Sequence, residues 1–466
     1  MAHLTRVEQS WGSAPLGCRV ALRRGDVYDR ETGLFHSPAE YVYEEVGTHS
    51  FEVSDDSIAS GIVRLVHPGL SDDDMPSQAP EIALDRKRLT ISEDVIRQML
   101  RTCEARLVFG GTVDDILAVY RDDRAEQIRA LLSHPLVGNR KNRDSLSHDL
   151  VAHVVWDCLR QRLPFQLVLP AFPFKDQNPF RNPSSPSHWD IGEASLLIRL
   201  HCIALGLNQL HPFDGEWVVV SDGRSYAPIF GIRDSEAVEY LAGVRELRNS
   251  LNLQNTVHFL DLRSIMEKVD RCFNAKVGGA TISGLRAIIS LVEDRLEAIS
   301  RSNNDVATAL NALAMSMVWN LNTRDYLNRR GHRELWRAMN SKCRRLEPTA
   351  ADLRRELLAA GWRAGLRYAS LTLTLATAQF WSVTFPHSLR ATVHAKEGQA
   401  VIPKLGRGDP WNAVGVFEDA RLGPDSIRTL PLWKLRRSDY QAVYLTDSPD
   451  PIGFVRRKLV GQLVVK

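Results

Sequence analysis

Two short apolar runs limit the folds open to this chain. Phe165 to Pro170 is broken only by Gln166 and has a proline at each side, Pro164 and Pro170. Trp217 to Val220 has no polar residue at all. A half-exposed strand alternates apolar and polar side chains; runs without that alternation belong in a sheet covered on both faces. Between them the sequence predicts a helix from about Gly192, with Leu196, Leu197, Leu200 and Ala204 on one face. A second helix (Ser235 to Leu247) and a third strand (Thr256 to Leu260) follow. Strand and helix in alternation predict an α/β fold with a mostly parallel, Rossmann-like sheet.

The flanks read differently. Strand-like runs at Cys18 to Leu22, Glu40 to Val46 and Gly61 to His67 are split by Gly, Asp and Ser. Ser71 to Pro80, with three consecutive aspartates and two prolines, reads as a linker. Ser92 is placed to cap a helix with Val95, Ile96, Met99 and Leu100 on its apolar face, and Thr112 with Asp115 opens another. Residues 1–140 are therefore expected to form a small α+β appendage, and residues 141–466 an α/β catalytic domain. A helical section spans about 281–380, where Leu285, Ile288, Val292 and Leu296 form one stripe and Val306, Leu310, Leu313 and Met317 the next. Beyond it, Leu389 to His394, Ala400 to Leu405, Trp411 to Glu418 and Gln441 to Thr446 are strand-like. They extend the sheet or form an antiparallel edge.

Charge argues against nucleic acid as a partner, since 59 Lys+Arg against 56 Asp+Glu leave a net charge of only +3. The 6 cysteines lie too far apart for a zinc site and are too few for a disulfide scaffold. Tyr368 to Pro386 carries no charge but is rich in Thr, Ser and Gln, which predicts a core segment rather than a membrane span. Met1 to Ser10 has no apolar signal core, so a cytoplasmic location is expected. Val277-Gly278-Gly279 lacks the Lys-Ser/Thr of a phosphate loop, Gly406-Arg407-Gly408 is a lone glycine pair, and no nucleophile elbow or paired zinc histidines occur. Chemistry without metal or cofactor is the simplest expectation.

Three polar segments follow the predicted strands and open the helix between them. Phe174-Lys175 leaves the first strand, where Lys175 can meet an anion or lie exposed in the following loop, which carries three prolines. Asp190 and Glu193 have capping-box spacing and equally form a carboxylate pair able to act as base or hold an ammonium. Asp222-Gly223 is a common turn pair; Arg224 beside it suits phosphate. Arg390 and His394 share a face of one predicted strand, and Trp411-Asn412 either pack a ligand ring and bond a polar group or close a strand.

Leu169 to Lys175, Asn178-Pro179, Asp190-x-Gly192-Glu193 and Ser221-Asp222-Gly223-Arg224 together resemble the isocyanide (isonitrile) synthase family, also called the pyoverdine/dityrosine biosynthesis family. Arg390-x-x-x-His394 and Pro410-Trp411-Asn412 resemble its C-terminal pattern, with Asn412 where the family usually has histidine. The resemblance implies an α/β enzyme that converts the amine of an amino acid, tyrosine or tryptophan first, to an isonitrile. The new carbon comes from C2 of ribulose 5-phosphate, a co-substrate. On that basis Lys175, Asp190, Glu193 and His394 are the expected catalytic residues. Phe174, Asp222, Arg224, Arg390, Trp411 and Asn412 are the expected substrate contacts. Expected partners are the two small molecules, a second copy of the chain as a homodimer and a downstream oxygenase, with neither nucleic acid nor membrane. N-formylation, a non-aromatic substrate and a non-catalytic binding subunit stand as alternatives.

Overall fold

A computed structural model describes residues 48–65, 88–137 and 146–464, apart from 109, 184–187, 278, 344, 393–398, 402–408, 420, 423–425, 437 and 447, together with the backbone of four short strands before residue 48. The chain divides into two compact units, each discontinuous in sequence. One holds residues 1–65, 264–308 and 366–388, the other 66–263, 309–365 and 389–466. The border expected near residue 140 does not coincide with this division, and the Ser71 to Pro80 linker lies outside the described residues.

The larger unit is built on a five-stranded sheet. In space its strands run Ala400–Val401, Ser388–Thr392, Phe165–Pro170, Gly215–Ser221 and Val257–Asp261. Phe165–Pro170 pairs parallel with Gly215–Ser221, with Leu167 opposite Trp217, and Gly215–Ser221 pairs parallel with Val257–Asp261. Every residue of Gly215–Ser221 is buried, as expected for a central strand covered on both faces. Burial of an apolar side chain such as Val218 or Val219 stabilises the fold by about 1.5–3 kcal/mol. The expected α/β class and its parallel core are present.

The C-terminal strands do not all extend that sheet. Val414–Phe417, Ile427–Leu430, Tyr440–Leu445 and Pro451–Arg456 join Leu89–Ile91 in a second, mixed five-stranded sheet. The Ile191–Leu210 helix packs against both sheets. Contact on more than one side explains why it is apolar around most of its circumference, with Leu196, Leu197, Leu200 and Ala204 all buried. Among the described residues it is the one helix long and apolar enough to cross a membrane, and 89% of its 18-residue window is buried inside the protein. The Tyr368 to Pro386 stretch contributes instead to the Pro348–Thr377 and Phe380–Thr384 helices.

Gly61 to Leu65, within the strand expected at Gly61 to His67, instead ends the Asp55–Leu65 helix, whose buried Ile58 and Ile62 have helical rather than alternating spacing. After Ile191–Leu210, the next two α-helices run Gly223–Tyr226 and Asp234–Ser250. Ser92 does not cap its helix by side chain: Asp94–Leu107 begins after Glu93, and Ser92 offers only its backbone carbonyl, to Val95 N. The helical section opens with a strand, Ala280–Ser283, which pairs antiparallel with Phe273–Val277, itself parallel to His49–Val53 in the smaller unit. Cys103, Cys158, Cys202, Cys272 and Cys343 are free thiols.

Two loops at the carboxyl end of the central sheet touch without clearance. A Cβ added to Gly223 would lie 1.6 Å from the carbonyl oxygen of Pro173. Ser221 Oγ donates to the carbonyl of Phe172 at 2.8 Å, next to the same point. Backbone is the obstacle, so no side-chain rotation relieves it. Gly223→Ala is expected to cost about 3 kcal/mol or more, seen as a fall in the urea midpoint.

Candidate functional site

Lys175 leaves the Phe165–Pro170 strand and turns inward. Its Nζ donates to both oxygens of Glu193 at 2.8 Å and to the carbonyl of Pro410 at 2.9 Å, and lies 3.0 Å from Asp190 Oδ2. The alternative of an exposed loop lysine is therefore corrected, since Lys175 is fully buried. An ammonium has three donors, and here each is already engaged inside the protein. The following segment is not an open loop either: Asp176, Gln177, Asn178, Arg181 and Asn182 are all buried. Asp176 meets Arg181 at 3.1 Å, and Asn178 Nδ2 donates to the carbonyl of Trp319.

The carboxylates are equally occupied. Asp190 caps the Ile191–Leu210 helix in a capping box with Glu193, as the spacing predicted. Asp190 Oδ1 accepts from Gly192 N at 2.7 Å and Oδ2 from Gly415 N at 3.1 Å. Glu193 Oε2 accepts from Asp190 N at 2.9 Å, and Oε1 from the Tyr240 hydroxyl at 3.0 Å. With Lys175 added, all four oxygens have partners. The pair holds the loop, the helix start and the second sheet together.

Two carboxylates share one ammonium here. Burial would lower the Lys175 pKa, but Asp190 and Glu193 outweigh it and raise it. Burial, with Asp190 alongside, pushes Glu193 well above the carboxylate range against the pull of Lys175. Burial and the charge of Glu193 raise the Tyr240 phenol. Sequence pattern missed Tyr240 because it sits among Ala237, Leu241 and Val244 on an ordinary apolar helix face.

A second group of residues lies at the carboxyl end of Gly215–Ser221. Asp222 stands at the start of the Gly223–Tyr226 turn of helix, makes no side-chain cap bond, and has a buried Oδ1 with no hydrogen-bond partner. Burial pushes its carboxyl up to about 7, offset only in part by its own amide N–H. Arg224 reaches Asp234 at 3.3 Å and Asp261 at 3.7 Å, and Arg263 reaches Asp234 at 3.4 Å. Arg390, half-buried on Ser388–Thr392, is lowered to about 10 by burial, with Tyr226 acting to raise it. The structure thus brings Asp222, Arg224, Tyr226 and Arg390 to one region, while Lys175, Asp190 and Glu193 form a closed cluster.

Aromatic rings line the first loop. Phe172 is fully buried, with its ring 5.6 Å from Phe259 and 5.8 Å from Trp411. Its backbone is in the left-handed region at φ 55°, a position that costs a bulky residue roughly 1–3 kcal/mol. Phe174 packs edge-on to Phe230 at 5.9 Å. Trp411 is buried, and its carbonyl accepts from Asp176 N at 2.9 Å; Asn412 follows it, partly buried. His394 and Gly406-Arg407-Gly408 lie outside the described residues. His188, just before the helix, was missed: its Nε2 is buried without a partner, and burial lowers its pKa. Among the described residues no group of three or more His, Cys, Asp or Glu could hold a metal ion.

The family profile of the pyoverdine/dityrosine biosynthesis proteins matches residues 155–406, more than half of the chain. The chain belongs to that family. Membership makes it a biosynthetic protein of the pyoverdine/dityrosine type, and all of the polar segments except Trp411-Asn412 fall inside the matched range. The PvcA protein of Pseudomonas aeruginosa, solved by crystallography, is similar over 74% of this chain and 98% of its own, with 13% identity and a TM-score of 0.46. No curated protein matches.

Two stability measurements follow. Lys175→Met leaves two buried carboxylates without their cation and is expected to cost about 3–5 kcal/mol, whereas Tyr240→Phe removes one hydrogen bond and costs about 1 kcal/mol; urea unfolding ranks them. Asp222→Asn removes a carboxyl whose folded pKa is raised from 3.8 to about 7. The native protein therefore loses stability relative to that variant as pH rises through this window, and not above it. Melting temperatures from pH 4 to 8 check the sign: the variant should gain on the native protein up to about pH 7 and hold that margin beyond it.

Proposed function

We propose that this chain is an isocyanide synthase-like enzyme that joins the amine of an amino acid, tyrosine or tryptophan first, to C2 of ribulose 5-phosphate. What supports the reading, beyond family membership, is the nearness of Arg390, mid-strand in Ser388–Thr392, to Tyr226 in the turn after Gly215–Ser221 that also carries Asp222 and Arg224. The strand order helps as well. Chain order reverses between Phe165–Pro170 and Ser388–Thr392, and in doubly wound, Rossmann-like sheets small ligands bind outside the carboxyl ends at such a reversal.

Roles follow from charge. Arg390 regains, beside an anion, the solvation that burial removes, and its fork suits the substrate carboxylate. Arg224 takes the sugar phosphate in exchange for Asp234, which is 44% exposed and free to turn to water. Phe172, Phe174 and Trp411 supply the apolar wall behind them. Asn412, where the family usually has histidine, favours a second reading in which the product is the formamide, one water heavier than the isonitrile.

The test is to incubate the full chain with tyrosine or tryptophan and ribulose 5-phosphate and read product masses. The isonitrile mass is expected; the formamide mass selects the second reading, and unmodified amino acid throughout excludes both. Arg390→Ala should raise KM for the amino acid, and Arg224→Ala KM for the sugar phosphate, each by roughly tenfold or more.

A further inference from the structure

Given the amine chemistry proposed above, on which this inference rests, some group must take a proton from the substrate ammonium before nitrogen can attack. Asp190 and Glu193 have every carboxylate oxygen engaged. Asp176 is held by Arg181 and Asn178, Asp234 by Arg224 and Arg263, and Asp261 by Arg224. Asp261 also has a buried oxygen without a hydrogen-bond partner, Oδ2, but Arg224 stands 3.7 Å from its Oδ1, whereas among the described residues no cation pairs with Asp222. Asp222 Oδ1 is buried without a hydrogen-bond partner, and so is Ser225 Oγ within the same turn. Its main chain is pinned on both sides: the Asp222 carbonyl accepts from Ser225 N and Tyr226 N at 3.0 Å, and Gly223 abuts Pro173. The carboxylate is thus aimed by backbone rather than by a bonding partner.

We propose that Asp222 is the base that takes the proton from the substrate ammonium. The N–H bond breaks and the proton moves to the carboxylate. The freed nitrogen lone pair forms a bond to the ketone carbon, and the carbonyl π pair moves to oxygen. Asp222 returns its proton to that oxygen, takes a second from nitrogen, and gives it up as water leaves. Summed, ammonium and ketone become a protonated imine and water, and Asp222 ends ionised as it began.

The charged groups around it allow this. Lys175, from the loop after Phe165–Pro170, is closed off by Asp190 and Glu193. Arg224 faces Asp234 and Asp261, Arg263 faces Asp234, and Arg390 acts on Tyr226. None of these groups perturbs Asp222, whose carboxyl is set near pH 7 by burial. A base with that affinity is half ionised at neutral pH and still strong enough to accept.

Asp222→Asn and Asp222→Glu, compared with the native chain across pH 5–9, test the assignment. Turnover is read by product mass, amino acid binding by calorimetry and folding by melting curves. Native turnover should rise through about pH 7. Asp222→Asn should lose at least about a hundredfold in kcat with that limb gone, while amino acid Kd stays within about threefold. Asp222→Glu should restore part of the rate. If Asp222→Asn does not fold, Asp222→Ser takes its place. A variant with native kcat and an unmoved limb overturns the base assignment alone, as does one that loses binding and keeps kcat. A native chain inert towards every amine overturns the function proposed above, and the assignment with it.

Discussion

A single ammonium group joins the parts of the larger unit. Lys175 is buried between Asp190 and Glu193 and also holds the carbonyl of Pro410. Through it the loop after the first central strand, the start of the Ile191–Leu210 helix and the turn before the second sheet share one set of hydrogen bonds. Gly415 N completes the link from the second sheet to Asp190. Removing any one charge leaves the others in a medium that solvates them poorly, so the cluster is stable only when complete. Such groups fix geometry more than they add net stability.

Beside that closed cluster, a second set of charged groups follows the central strand. Asp222, Arg224 and Tyr226 follow the central strand directly, and Arg390 comes from a strand far along the chain. The first three depend on local sequence. The fourth depends on the topology that inserts Ser388–Thr392 beside Phe165–Pro170. Arg224 pairs with Asp234 and Asp261, and Arg263 with Asp234, so carboxylates solvate both cations.

Much of the fold was legible in the sequence because burial on both faces leaves a mark. Leu167 to Leu169 and Trp217 to Val220 could hardly be anything but central strands. The capping box at Asp190 was legible because its spacing is local. What the sequence did not show is the partner of each charge. Lys175 looks like a loop lysine until Glu193 and Pro410 are seen to converge on it from 18 and 235 residues away. Tyr240 is indistinguishable from its apolar neighbours on the same helix. Asp222 reads as half of a common turn; that its Oδ1 is buried without a hydrogen-bond partner is something a string of letters does not record. The second sheet was missed as a unit because Leu89–Ile91 joins it from the far end of the chain.

The close approach of Gly223 to Pro173 has a mechanical consequence. Backbone packed on backbone, with the Ser221 hydroxyl gripping the same bend, leaves no play between the two segments. They must travel as one rigid jaw. A change of backbone in either segment is therefore passed directly to the other.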